Sequence, residues 1–443
     1  MAEIFPFRGV RYSEELIPHL SELVTQPYDK INQRMQEEYY WRHDYNIVRL
    51  IKGKSFPNDD ERNNQYTRAR EFLDDWLTKG VLVRERTPAI YAYFQEYDVE
   101  GKQYIRKGFV ALGKLELPGK GVKAHENTLT GPKADRLNLL RATRTQFGHI
   151  FMLYKDPAQI ITKLLDSATI QKPDMEAEDY YGEVHKLWRI TEPDIMKKIQ
   201  ERMKDRELII ADGHHRYETA VNFWLENKEK MAGHEKNIAL TPHYECFRNR
   251  MMTFINMDDP GLLILPTHRI IHSIQGFKKE EFLENVKQLF DARQFESVEA
   301  LKEYMEKNKD MHIFGVYFRK EGFWSLTLKK NVNLEKTITG KHSIEYKSLD
   351  VTILHSLILE RSLGIDKKAL EEQRNIVYVR GWENGKQQVD ENENYQMIFF
   401  LNPTKPDEVH KIAMMGERMP QKSTDFYPKL LTGLVINVLT CFD

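Results

Sequence analysis

Cysteine is scarce in this sequence: Cys246 and Cys441 are the two that occur among its 443 residues. They lie far apart and in no motif, so neither a disulfide framework nor a zinc site is indicated. Long hydrophobic runs are missing as well, since no stretch approaches the roughly 18 continuous apolar residues of a membrane span. The segment from Met1 to Arg8 lacks the basic region and apolar core of a signal peptide. We therefore expect a soluble, cytoplasmic protein without a membrane partner.

The chain also lacks an excess of charge of either sign. Its 66 Lys and Arg residues balance 67 Asp and Glu residues, which gives a formal net charge of −1. Such a balance gives no general attraction to nucleic acid, and no helix-turn-helix with a basic recognition helix stands out. We therefore do not expect nucleic acid as a partner, while a homo-oligomer is compatible with the sequence. The length predicts roughly two to three domains that need no disulfides to bury a core.

One stretch of the sequence predicts a strand, a tight turn and a helix in direct succession. Residues Leu208–Ala211 form a short apolar run that is typical of a buried strand. Asp212 and Gly213 follow as a turn signal, and a helix is predicted from His214 to about Lys228. Such a turn directs unpaired backbone N–H groups and the positive end of the helix dipole at one point. A phosphate or a carboxylate suits that point, and Gly213 lets the backbone reach a positive φ beside a ligand.

Three residues rich in hydrogen-bond donors follow the glycine: His214, His215 and Arg216. The planar guanidinium of Arg216 suits phosphate oxygens, which favours an anion site. An alternative is that Asp212 caps the helix and the histidines are ordinary surface groups. A metal site is less favoured, because adjacent helical residues diverge by about 100 degrees and the pair His214 and Glu218 offers too few ligands.

The loop Thr25–Asp29 is a second candidate segment. Pro27 excludes the helical conformation for Gln26, so the loop is held in place and presents Tyr28 and Asp29. These two side chains are candidates for a site, and a plain turn is equally compatible with the residues.

A third candidate segment follows a predicted strand near residue 122. His125, Glu126 and Thr128 place an imidazole, a carboxylate and a hydroxyl within four residues, which suits a general base beside a small polar substrate. A solvated loop is the alternative. A helix is predicted from Pro132 to about Phe147, and its basic residues form either a solvated face or part of a phosphate site: Lys133, Arg136, Arg141 and Arg144.

The fourth candidate segment is Met419–Lys429, in which Lys422, Ser423 and Thr424 lie between two prolines. One cation and two hydroxyls suit phosphate or carboxylate recognition, although the glycine-rich loop of a Walker A motif is missing. An ordinary C-terminal loop is the alternative.

Strand and helix signals alternate irregularly, which predicts an α+β fold with mixed sheets. We divide the chain into four parts, of which the first and last contribute to the site. They are an N-terminal α+β part at 1–165, a core with the Asp-Gly-His-His-Arg turn at 183–260, an inserted α+β subdomain at 261–345 and a C-terminal α+β part at 346–443.

The whole chain resembles the bacterial and archaeal family called domain of unknown function 1015. The blocks that carry this resemblance are Pro6–Gly9, Pro27–Asp29, Val122–Thr128 with Asp135 and Arg136, Ile210–Ala220, and Met419–Leu430. The chain departs from the family at Gln26 and Gln421, where proline is usual. Residues His185 to Val221 also resemble the ParB/sulfiredoxin-type nucleotide-binding core. Members of that superfamily phosphorylate free L-serine with ADP or ATP, or bind and hydrolyse CTP on DNA.

The resemblance implies a small-molecule kinase that transfers a phosphoryl group from ATP or ADP, with Mg²⁺, to free L-serine or a similar hydroxyl metabolite. Gly213, His214, His215 and Arg216 are then expected to bind the donor phosphates. Glu126 is the first candidate for the general base, and Asp29 and Asp212 are its rivals. The predicted substrate-binding residues are Tyr28, His125, Thr128, Arg136, Lys422, Ser423 and Thr424. A nucleotide-binding regulator without a metabolite acceptor and a histidine-dependent hydrolase are the alternatives.

Overall fold

The computed structural model describes residues 2–117, 121–126, 131–232 and 247–439. They divide into two compact units. The first unit comprises the described residues of 1–124, 128–263 and 428–443, and the second comprises those of 125–127 and 264–427. The fold is α+β with mixed sheets, as the sequence predicts. The four predicted parts remain a prediction.

The first unit is built on a nine-stranded sheet, and we number the strands of the two main sheets in chain order. Its strands are β1 (Ile4–Phe5), β2 (Ile90–Val99), β3 (Lys102–Lys114), β4 (Val122–Ala124), β5 (Ile150–Tyr154), β6 (Met175–Glu178), β7 (Val184–Ile190), β8 (Leu208–Asp212) and β9 (Asn249–Asn256). They lie in the order β4-β8-β5-β9-β3-β2-β7-β6, and β1 pairs with β3. The pairs β4–β8 and β5–β9 are parallel, whereas the other pairs are antiparallel.

The long hairpin of β2 and β3 shows how the sequence forms this sheet. Glu100 and Gly101 connect the strands, both with a positive φ, which is typical of the tight turns whose twist matches that of a hairpin. Near the middle of the sheet Phe109 and Phe254 stack with ring centroids 5.1 Å apart. Both are fully buried in the core of the first unit.

Helices cover the sheet of the first unit. Asn64 begins one of them with a capping box, because its side chain accepts from the backbone of Thr67 while the Thr67 hydroxyl accepts from the Asn64 backbone. The described helices are Leu20–Leu23, Gln33–Arg42, Val48–Ile51, Gln65–Thr78, Gly131–Thr143, Ile160–Ala168, Pro193–Met203 and His214–Ala232, with 3₁₀ turns at Ile17–His19 and Tyr28–Lys30. Short strands pair Val10–Tyr12 with Leu82–Arg84 and Thr145–Gln146 with Asn437–Val438.

The strands on either side of the Pro193–Met203 helix are not neighbours in the sheet. β7 pairs with β2 and β6, whereas β8 pairs with β4 and β5. Four strands therefore separate β7 from β8. The two strands that flank this helix thus do not form a compact strand–helix–strand module, and the connection that contains the helix spans the four strands between them.

The second unit contains a six-stranded antiparallel sheet. Its strands are β10 (His268–His272), β11 (Phe290–Phe295), β12 (Ile313–Phe318), β13 (Gly322–Leu328), β14 (Ile376–Val379) and β15 (Tyr395–Phe400). They lie in the order β11-β13-β12-β15-β10-β14. The α-helices are Lys279–Val286, Val298–Lys307, Leu334–Thr337, Ile344–Lys347, Asp350–Ile353, Arg361–Leu363, Lys367–Glu371, Trp382–Glu391 and Pro406–Met414, with a π-helix at Leu354–Glu360. Two further short strands are Leu263–Ile264 and Phe426–Tyr427.

Among the described residues, we find no helix that combines the length and the apolar character needed to cross a membrane.

Candidate functional site

The strand, glycine turn and helix predicted around residue 213 are confirmed. β8 is buried along Leu208–Ala211 and ends at the partly exposed Asp212. Gly213 has a φ of +86°, and its carbonyl accepts from the backbone N–H of Tyr217 at 2.9 Å. The His214–Ala232 helix therefore begins directly after the glycine, so its N-terminal end lies at the edge of the sheet where β8 stops.

Arg216 packs against this turn and is anchored on two sides. A Cβ atom on residue 213 would lie 2.9 Å from the Arg216 Nε, so the glycine provides the space for the guanidinium. The Arg216 Nη2 donates to Asp212 Oδ2 at 3.0 Å, and the Nη1 donates to the main-chain oxygen of His149. Each residue from 212 to 216 is nevertheless partly exposed. The turn is thus accessible from solvent.

The carboxylate of Asp212 lies in a positive electrostatic environment. Burial by itself would raise the pKa of Asp212, but the charges of Lys429, Arg216 and Lys30 outweigh burial and hold that pKa well below its ordinary value. Asp212 is therefore ionised at neutral pH. The N-terminal end of the His214–Ala232 helix lies at the same turn and favours an anion there.

His215 contributes a neutral imidazole to the same turn. Burial lowers its pKa, and the charge of Lys133 lowers it further, against the opposing carboxylates of Glu218 and Asp29. The His215 Nδ1 is buried and has no hydrogen-bond partner in the described part of the chain. A neutral ring with a buried open nitrogen can accept or donate one hydrogen bond to a ligand.

The loop that carries Tyr28 and Asp29 lies in the same unit and is fixed by a basic residue of the Gly131–Thr143 helix. The Arg136 guanidinium lies 4.0 Å from the Tyr28 ring centroid, and it donates to Asp135 Oδ2 at 2.8 and 2.6 Å. Burial raises the pKa of Tyr28, so the phenol stays neutral. Asp29 is exposed, and its charge acts on the pKa of His215.

A small pocket of about 70 Å³, partly open to solvent, adjoins the turn within the first unit. Its polar lining consists of Tyr28, Arg136, Thr145, Gln146, Arg216, Thr219, Arg250 and Thr432. The apolar lining, which dominates, is Pro27, Ile51, Leu139, Leu140, Phe147 and Ala220, with Gly148 beside them. Three of the predicted site residues line this pocket: Tyr28, Arg136 and Arg216.

The second unit brings together another set of predicted residues. The His125 Nε2 lies 2.8 Å from the Thr424 Oγ1, and Glu126 Oε1 accepts from the Lys422 backbone N–H at 2.8 Å. Ser423 donates its hydroxyl proton to the Pro420 carbonyl at 2.6 Å. These contacts hold the 420–424 loop, in which Lys422 has a φ of +59°.

The predicted site residues thus fall into two groups. Tyr28, Asp29, Arg136 and the turn 212–216 belong to the first unit, and His125, Glu126 and residues 422–424 belong to the second. Thr128 lies outside the described residues. The assignment of roles to these residues remains a prediction.

Sequence reasoning missed three cations of the first unit: Lys30, Arg250 and Lys429. Lys30 directly follows the candidate loop Thr25–Asp29, and Lys429 is the last residue of the candidate segment Met419–Lys429, so both positions could have been considered. No signal marked Arg250, because it lies in the apolar run that predicts β9. Its burial and missing partners appear only in the folded chain.

The carboxylates near the turn could bind Mg²⁺ only together with the phosphates of a nucleotide. Within residues 2–117, 121–126, 131–232 and 247–439, no group of three or more His, Cys, Asp or Glu side chains could hold a metal ion. Mg²⁺ in nucleotide sites usually takes one or two carboxylates together with phosphate oxygens and water. The ionised Asp212 fits that requirement, with Asp29 as a second carboxylate in the same unit.

A protein-family model described as "Protein of unknown function (DUF1015)" matches residues 4–352. The search of curated proteins finds no match. Among solved structures, a conserved hypothetical protein from Pyrococcus furiosus is 12% identical, with a TM-score of 0.32, over 69% of this chain and 87% of that chain. Free serine kinase in complex with AMP is 13% identical, with a TM-score of 0.31, over 71% and 89%. SbnI from Staphylococcus aureus, truncated at its C-terminus, is 9% identical, with a TM-score of 0.33, over 74% and 87%.

Proposed function

The chain belongs to the DUF1015 family, and we propose that it is a phosphotransferase that moves a phosphoryl group from ATP or ADP to the hydroxyl of a small metabolite. Free L-serine is the first acceptor to test. The donor phosphates bind at the turn of Gly213, His214, His215 and Arg216.

The observation that carries this proposal is a helix N-terminus that begins directly after Gly213, beside the guanidinium of Arg216. The macrodipole of the His214–Ala232 helix places partial positive charge at that end. The charges of Lys429, Arg216 and Lys30 hold the pKa of Asp212 well below its ordinary value, so the electrostatic environment of the turn is positive. These features favour a nucleotide polyphosphate over an uncharged ligand.

Phosphoryl transfer asks the protein mainly to position the reactants and to stabilise charge. The acceptor oxygen forms a bond to the transferred phosphorus, while the bond from that phosphorus to the bridging oxygen of the donor breaks. The acceptor proton passes to a carboxylate, and the shortened nucleotide leaves with the electron pair. Mg²⁺ supplies charge neutralisation on the phosphates when it is bound.

Three carboxylates are candidates for the general base: Glu126, Asp29 and Asp212. The low pKa of Asp212 makes it a weak base and suits it better to orienting a metal-bound nucleotide. Glu126 Oε1 already accepts the backbone N–H of Lys422 at 2.8 Å, so one of its two carboxylate oxygens is engaged. Asp29 is exposed and acts on His215 of the turn. We therefore place Asp29 first, ahead of Glu126. We keep Tyr28, His125, Thr128, Arg136, Lys422, Ser423 and Thr424 as proposed substrate-binding residues.

The test is an assay of the purified full chain with Mg²⁺, labelled ATP or ADP and a panel of hydroxyl compounds headed by L-serine. Labelled phosphoserine, or another labelled phosphate ester, is the expected product. Phosphate release that is independent of any acceptor would identify a hydrolase instead. Nucleotide binding without turnover, including binding of CTP, would identify a regulator.

A further inference from the structure

Arg250 is a buried cation, and most of its hydrogen-bond donors have no acceptor among the described residues. Its side chain is fully buried on strand β9. The Nη1 donates to the Asn249 carbonyl at 3.3 Å, whereas the Nε and the Nη2 have no hydrogen-bond partner in the described part of the chain. Burial lowers its pKa to about 9, and no acidic group offsets that effect. The guanidinium carbon also lies 5.6 Å from the ring centroid of Phe223. A buried charge with one long hydrogen bond and no anionic partner is costly, so an anion bound to this arginine would be stabilising.

The two open positions of Arg250 lie on one side of the guanidinium. The Nε–H and the outer Nη2–H form the side fork of an arginine, which points two parallel N–H bonds in the same direction. That geometry matches the two oxygens of a carboxylate or of a phosphate. The fork therefore selects a planar or tetrahedral oxyanion rather than a single acceptor atom.

The pocket beside the turn is where such an anion can enter. Arg250 and Thr219 both line that pocket. The Thr219 Oγ1 is also buried without a hydrogen-bond partner among the described residues. Two unsatisfied polar side chains, one from strand β9 and one from the His214–Ala232 helix, thus meet on a cavity whose lining is otherwise mainly apolar.

The charge of the lining residues distinguishes a carboxylate from a phosphate. Two of the three arginines on the pocket are paired, because Arg216 bonds to Asp212 and Arg136 bonds to Asp135. Among the three arginines that line the pocket, Arg250 is thus the one whose positive charge is not balanced by a carboxylate of the described residues. A single carboxylate neutralises it, whereas a phosphate dianion would leave a buried negative charge unpaired.

We propose that this pocket binds the carboxylate of a small organic acid, held by the side fork of Arg250 and by the Thr219 hydroxyl. The apolar walls formed by Leu139, Leu140 and Phe147 cover the carbon skeleton of the acid. If the proposed function holds, this is the subsite for the carboxylate of the phosphoryl acceptor, because Arg216 of the phosphate-binding turn lines the same pocket. The binding of the carboxylate itself does not depend on that function.

The test is calorimetric titration of the full chain, without nucleotide, with L-serine, L-threonine, D-glycerate and L-lactate. L-Serinamide and inorganic phosphate serve as probes without a carboxylate. At least one of the four acids should bind with a Kd on the order of 1 mM or tighter. Its affinity should fall at least about 20-fold in Arg250→Met and several-fold in Arg250→Lys and Thr219→Val, because the fork and the hydroxyl are lost.

Arg248→Gln is the matched control, since Arg248 lies just before strand β9 and bonds to the Leu115 carbonyl at 3.0 Å. It should bind the acid as the wild type does. Removing the unpaired charge should leave the thermal unfolding midpoint of Arg250→Met unchanged or higher, so lost binding is separable from lost folding. Failure of all four acids to bind, equal binding by serinamide, tighter binding of phosphate that is lost in Arg250→Met, or an unchanged affinity in Arg250→Lys and Thr219→Val would each overturn the proposal. Carboxylate binding that depends on Arg250 in a protein without transferase activity would refute the proposed function and leave this inference standing.

Discussion

The guanidinium of Arg216 occupies the space that a side chain on residue 213 would need. The ideal Cβ position at Gly213 lies 2.9 Å from the Arg216 Nε and 3.1 Å from its Cζ. The same guanidinium joins the Asp212 carboxylate to the His149 carbonyl. Gly213 and Arg216 therefore depend on each other. The glycine permits the positive φ and the close packing of the guanidinium, and the arginine fixes the turn.

Gly213→Ala should damage the turn in two ways. Its φ of +86° is strained for a residue with a Cβ, which costs roughly 1–2 kcal/mol. The new methyl group also displaces Arg216 from Asp212. We expect nucleotide affinity to fall at least about tenfold, measured by calorimetric titration with ADP. Gly182→Ala is the control for backbone strain, because Gly182 has a similar φ and a Cβ atom there would lie 3.7 Å from Glu178 Oε1, at ordinary contact distance. An equal loss of affinity in both variants would argue against a specific role for the turn.

Lys429→Gln should weaken nucleotide binding through charge alone. Lys429 is the strongest of the cations that lower the pKa of Asp212. Its removal makes the electrostatic potential at the turn less positive, so ADP affinity should fall roughly fivefold to tenfold at low salt, and by less at high ionic strength because salt screens the interaction. Titrations at two salt concentrations check this. An affinity that does not change at low salt would show that the phosphates bind elsewhere.

Asp29→Asn should lower kcat for phosphoryl transfer by about two to four orders of magnitude, with ADP affinity nearly unchanged. The reason is that an amide cannot take the acceptor proton, while the cations of the turn remain. Steady-state kinetics with L-serine, or with the acceptor that the panel identifies, measure this effect. Glu126→Gln is the matched variant, and it should be less affected. The reverse order of the two losses would make Glu126 the base.

Lys422→Gly should stabilise the protein, because Lys422 has a φ of +59° in which glycine is not strained. The backbone N–H that Glu126 accepts remains in the variant. The expected gain is about 1 kcal/mol in the free energy of unfolding, reduced by the higher entropy of glycine in the unfolded chain. Urea unfolding measures it. Reduced acceptor binding in a variant of unchanged or higher stability would assign the Lys422 ammonium to substrate recognition.

Asp259 should make stability fall as pH rises. Burial raises its pKa from 3.8 to about 6, despite a hydrogen bond from the Gly261 N–H. Between these two pH values the folded state holds a proton that the unfolded state has released, so the free energy of unfolding declines with pH, by about 3 kcal/mol at most. Asp259→Asn should be more stable than the wild type near pH 7, and the difference should shrink towards pH 4. Urea unfolding across this range decides the matter, and a difference that does not depend on pH would contradict the shifted pKa.

Some of the site could be predicted from neighbouring residues alone. The strand of Leu208–Ala211, the turn at Gly213 and the following helix depend on an apolar run, on one flexible residue and on helical periodicity, all of which are local. The contacts of Glu126 and His125 with residues 422–424 could not be derived in this way, because they join segments almost 300 positions apart. The resemblance to the family includes both segments, but it does not show that they are in contact.

The sequence by itself determined the α+β class, the family and the strand, glycine turn and helix around residue 213, because these follow from short-range backbone preferences and from local sequence motifs. The tertiary structure decided which charges meet there. Lys30 and Lys429 act on Asp212 through the fold, Arg250 loses its solvent only when strand β9 is buried, and four strands separate β7 from β8. The balance of charge in a pocket depends on burial and on strand order, and both are set by contacts between residues far apart in the chain.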